Sequence, residues 1–237
     1  FNCKFYNVIT ISLMSLFFIV CLFTIHIFCL HIIYNYLNFY KDDNETDQRI
    51  QYAKNLAFIS QQHPQDPDVF GLYVIQTWIN KSHGIPIRNH EDMEQKFAKH
   101  LKKKPHHPIH HYRIHLWDDK DPKRALSSIE KNGLSSPDIA HMWHMPGHIY
   151  SKLHENEKTA WYQEASARTD HAYMKQFQIL PDQVHNYTHN NEWLCRTLIQ
   201  VGRVHDAITV AKNMIEIPQH PIYNNINNTY SSSFLGR

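Results

Sequence analysis

Glycine is scarce, at six residues in 237. So few argue against a turn-rich all-β fold and against a loop that cradles phosphate on backbone amides. Cysteine is scarcer still: Cys3, Cys21, Cys29 and Cys195, with no C-x-x-C among them. That removes the thioredoxin-like motif and the thiolate zinc knuckle. There is no P-loop, no G-x-S-x-G elbow and no H-E-x-x-H, so metalloprotease chemistry lacks its usual general base. A net charge of only +2 supplies no global field for a nucleic-acid partner, and none is expected.

Histidine is what the chain has in excess, at 20 residues, most of them between His100 and His189. The central stretch is Ala140 to Tyr150, AHMWHMPGHIY. His141, His144 and His148 are spaced i, i+3, i+7 and share one face of a continuous helix. Trp143 and Tyr150 repeat that spacing on a neighbouring, core-forming stripe. Pro146 is expected to kink this helix or to force its first turn to re-form, which would alter the facing of His141 relative to His148.

Apolar periodicity predicts further helices over Asp47–Ser60, Val69–Trp78 (capped by Asp66 with Pro67 at its first position) and Asp92–Leu101. Another is expected to start at Pro108, and its partner to open at Asp121-Pro122 and close at Gly133. A final pair has its turn at Gly202. Val8 to Phe39 carries no Asp, Glu, Lys or Arg and is long enough to span a bilayer. Residues 1–45 are therefore expected to be a membrane anchor or a non-native leader, 46–223 a helical domain and 224–237 a disordered or truncated tail. The chain opens on Phe1, as expected of a fragment.

The units repeat. Leu153-His154-Glu155-Asn156 aligns with Val201-Gly202-Arg203-Val204 as the inter-helix turn, and Thr159 with Ala207 as the small residue at the crossing. In this register the central unit resembles a tetratricopeptide repeat through Trp143, Gly147 and Tyr150. HPQDPDVFGLYVIQTW, PHHPIHHYRIHLWD and HMWHMPGHIYSK, in that order, resemble a group of bacterial tetratricopeptide-like proteins. Some of these are joined to a peroxiredoxin- or thioredoxin-like domain. The expectation is an all-α array of antiparallel helical hairpins, an α-solenoid, behind a single-pass transmembrane helix.

The resemblance implies that positions 2, 5 and 9 of each first helix line a concave groove. These are His141, His144 and His148 in the central unit and His189, Glu192 and Arg196 in the last. In the preceding unit they are His106 and His110, or His107 and His111 one residue along. The function expected is a scaffold that binds a peptide or partner protein in this groove. The alternative is a metal-binding or metal-dependent catalytic module, because imidazoles at i, i+4 can chelate a divalent transition ion such as zinc. Its candidate ligands are His110, His111, His141, His144, His148 and His189, with His106, His115, His185, Glu192 and Arg196 lining the groove. A third reading is an accessory domain of a thiol-redox protein. Cys195 is expected to be a buried structural thiol, since no base is assigned to it.

Overall fold

The computed structural model describes residues 44–218, together with 224–225 and 228–229. The uncharged stretch 8–39 lies outside the described residues, and among those described no helix is long and apolar enough to cross a membrane. The described chain is helical apart from a two-residue antiparallel pairing in the tail, Asn224–Asn225 with Asn228–Thr229. It falls into two compact units, one ending at Ile87 and one beginning at Arg88.

The first unit is a helical pair, α1 (Glu45–Gln62) and α2 (Pro67–Ser82). Asn44 caps α1, and Asp66 caps α2 by accepting from Asp68 N at 2.9 Å, with Pro67 in the first turn as its fixed φ favours. Leu56 and Ile59 of α1 and Val69, Phe70 and Val74 of α2 are buried. Asn80 ties the pair together by donating to the Arg49 carbonyl at 3.0 Å.

The second unit holds α3 (His90–Lys103), α4 (His110–Trp117), a 3₁₀ turn at Pro122–Ala125, α5 (Leu126–Ser135), α6 (Ala140–Lys152), α7 (Asn156–Phe177), α8 (His185–Gln200) and α9 (Val204–Glu216). From α4 onward each helix packs chiefly on its neighbours in sequence, while the alternate helices α4, α6 and α8 also meet. Arg113 on α4 is nine-tenths buried and needs a partner there. It makes a two-pronged pair with Glu94 of α3, donates to Ser127 and Ser128, and reaches the Arg124 carbonyl. Trp117 Nε1 donates to the same Glu94 at 2.7 Å.

The boundaries at Pro108 and Gly133 differ from the sequence expectation. After Pro108 the chain first makes turns, and α4 starts at His110. Gly133 does not close α5, which runs on to Ser135; a Cβ at Gly133 would run into the Trp143 indole, so the glycine permits close helix packing. Pro146 does not break α6, which is helical from Ala140 to Lys152. Proline leaves the Met142 carbonyl without its helical donor, and Asn132 of α5 fills that place at 2.6 Å.

The two inter-helix turns match bond for bond. His154 and Gly202 both have positive φ, at 60° and 79°. Glu155 N donates to Tyr150 O at 2.9 Å, and Arg203 N to Leu198 O at 2.8 Å. Thr159 and Ala207 are buried at equivalent crossings, at 0 % and 1 % exposure.

Candidate metal centre

The alternation of helices decides which imidazoles meet. Residues three and four apart on α6 point to one side, and α4 and α8 flank that side. Two groups of three histidines result: His144, His148 and His189, and His111, His115 and His141. Within each group one ring nitrogen per residue lies within 4.8 Å of the others.

The first group is the tighter. His144 Nε2 lies 2.7 Å from His148 Nε2 and 3.0 Å from His189 Nε2. His144 itself is fully buried, and its Nδ1 lies 2.6 Å from Gln163 Oε1 on α7. A carbonyl oxygen only accepts, so Nδ1 carries the hydrogen and Nε2 presents a bare lone pair to the other rings. Gln163 Nε2 faces the His144 carbonyl at 3.5 Å, which sets the amide the right way round. Gly147 makes room for this, because a Cβ there would run into the Gln163 amide.

One in-plane lone pair takes one good hydrogen bond, yet two ring nitrogens face it. A cation at the focus satisfies all three. Tetrahedral zinc at 2.0–2.1 Å would hold its ligand nitrogens about 3.3 Å apart, so His148 and His189 would each move less than about 1 Å away from His144. Trp193, one turn beyond His189 on α8, walls the group at ring-centroid distances of 4.4 Å from His148 and 5.7 Å from His144. Asp118 Oδ2 sits 3.8 Å from His148 Nδ1, beyond hydrogen-bond length but placed as an outer carboxylate behind a ligand.

In the second group His111 Nε2 and His115 Nε2 are 3.1 Å apart across one turn of α4. The His141 ring centroid lies 5.0 Å from that of His111 and 6.5 Å from that of His115. His111 Nδ1 is buried with no hydrogen-bond partner. A cavity of about 290 Å³ borders His141, lined also by Asp138, Thr169, Asp170, Tyr173 and Asn186 among others. Burial pushes the Asp170 carboxyl up to about 6, against the opposing effect of the Asn190 amide that donates to it at 2.6 Å.

Burial, then the neighbouring imidazoles, hold the rings well below the ordinary histidine range: His111 at about 3, His115 and His144 at about 2, and His148 at about 4. They are neutral at ordinary pH, the form that binds a metal.

Among the described residues, His110, His106, Glu192 and Arg196 fall in neither group. His110 belongs to neither group: a step of one residue turns it about 100° from His111. It is buried instead between Ser128 Oγ at 3.0 Å and the Pro105 carbonyl at 2.9 Å. The register on α4 is therefore His111 and His115, and His106 is exposed before the helix begins. Glu192 and Arg196 pair with each other at 3.0 Å, with the Arg196 guanidinium 5.7 Å from the Trp193 ring. His185 opens α8, and its side chain lies outside what is described. His115, expected only to line the groove, joins a group. Cys195 is half-buried, donates to the Ala207 carbonyl at 3.3 Å and has its thiol pushed up by burial, which suits packing.

Reasoning from sequence missed Gln163, Asp118 and Trp193. Trp193 was signalled by its i+4 spacing from His189; nothing in the sequence ties Gln163 to His144. No protein-family model matches the chain, and no curated protein matches it.

Proposed function

We propose that this chain is a metal-binding helical-repeat protein in which His144, His148 and His189 hold a first-row transition ion, leaving a fourth position open. The observation that carries this reading is the His144 ring. One nitrogen is fixed by Gln163 and the other faces two further imidazole nitrogens at 2.7 and 3.0 Å. Three neutral nitrogen ligands with one free position are the arrangement that lets zinc or a similar ion activate water or polarise a carbonyl. The repeated turn geometry supports a tetratricopeptide-like hairpin array as the scaffold that brings alternate helices together.

The test is metal content and metal-induced stabilisation of the full chain. Stripped protein titrated with zinc should gain thermal stability, because an ion bound only by the folded state stabilises it. His148→Ala/His189→Ala should lose that gain. Equal gains in both proteins would remove the reading. The groove could instead recognise a peptide or partner protein, as the resemblance to tetratricopeptide repeats implies. That use would survive a negative metal result.

A further inference from the structure

The two histidine groups share a helix and lie side by side. His141 comes from the first turn of α6, and His144 and His148 follow it on the same face. The rings of His141 and His144 stack with centroids 5.7 Å apart, at an interplanar angle of 20°. Each group is built alike: an i, i+4 pair from one helix (His111 and His115 on α4, His144 and His148 on α6) and a third ring from the next alternate helix (His141 on α6, His189 on α8).

From this geometry we infer that His111, His115 and His141 form a second metal site, and that the two sites act as one dinuclear copper centre. The inference rests on the metal-binding reading of the first group. The donor set selects the ion. All six ligands are imidazoles and none is a carboxylate. Oxygen-loving ions want carboxylate or water ligands, whereas imidazole suits copper, zinc, nickel and iron, and of these copper binds most tightly in the divalent form. Charge argues the same way. Two divalent ions on six neutral rings place four positive charges in a half-buried site. Of the neighbouring carboxylates, Asp118 and Asp119 already pair with Lys152. Copper relieves that charge by binding in its monovalent form. In the divalent form the charge calls for a small bridging anion of hydroxide size, in the open position that each three-ligand ion leaves.

Copper titration of the stripped full chain, followed by binding stoichiometry and electron paramagnetic resonance, tests this. Two copper ions should bind per chain, and the divalent signal per copper should be suppressed or broadened by the neighbouring ion. In His111→Ala/His115→Ala one ion should remain, with an ordinary isolated signal. Two ions of full, independent signal in the unaltered chain would overturn the coupled centre. One ion per chain, lost in His148→Ala/His189→Ala, would overturn it while leaving the single site standing. No bound copper and no bound zinc would overturn both. The titration of the unaltered chain decides the matter even where a variant fails to fold.

Discussion

Asn132 on α5 donates to the Met142 carbonyl on α6, the acceptor that Pro146 leaves without a helical donor. The pair lets a proline sit inside the helix that carries three of the six clustered imidazoles.

Replacing Asn132 by alanine strands that buried carbonyl and should cost about 1–3 kcal/mol in denaturant unfolding. In a Pro146→Ala background Met142 regains its backbone donor, so the same replacement should cost less, by about 0.5 kcal/mol or more. Equal costs in the two backgrounds would mean that Asn132 acts by packing alone.

Gly147→Ala should push the Gln163 amide off His144 and free the ring to rotate. Gln163→Leu should do the same without touching α6. Either should weaken metal binding about 10–100-fold, the usual effect of losing an outer-shell partner. Zinc affinity by competition with a chromophoric chelator reads this out; unchanged affinity in both variants would show that Gln163 does not orient the ligand.

Folded-state values of about 2 to 4 at His115, His111 and His148 lie below the ordinary 6.5. Between those limits the unfolded chain binds more protons, so metal-free stability should be full above about pH 6.5 and fall as pH drops toward 4. Melting temperatures from pH 7.5 to 4.5 should show this loss. His111→Gln/His115→Gln should lose less over the same range. Parallel profiles for the two proteins would mean that these rings titrate normally.

Asp170 has the opposite sign. Its folded value of about 6 lies above the ordinary carboxyl range, so the folded chain binds more protons between about pH 4 and 6 and stability falls as pH rises through that window. Asp170→Asn keeps an acceptor for Asn190 and removes the charge. It should raise stability at pH 7.5 by about 1–3 kcal/mol and change it little at pH 4.5. A loss at pH 7.5 would show that the buried charge has a partner that compensates for it.

How much could be read in the sequence depended on how local each feature is. The helices and the matching turns at His154 and Gly202 follow from spacing within single hairpins, and so does the common facing of His144 and His148. What the sequence left undecided depends on neighbours distant in the chain. What satisfies the carbonyl that Pro146 frees could not be read, because the partner, Asn132, lies in another helix. His110 was placed in the site, and His115 only in the groove, because a one-residue ambiguity on α4 rotates every ligand. That ambiguity is settled by packing against α5, where Ser128 takes His110. Gln163 was invisible because a glutamine on a polar helix face carries no mark of the imidazole it touches.

The contacts of this unit run mainly between helices adjacent in sequence, so its hairpins can zip up or fray one at a time. The histidine groups cut across that order: His144 and His189 meet over 45 residues of chain, bridging α6 and α8 around the intervening α7. An ion there would act as a cross-link between two alternate helices, α6 and α8, that otherwise touch sparingly. The terminal pair α8–α9 could then no longer peel away alone, and amide exchange along it should slow to the rate of α6 once metal is bound.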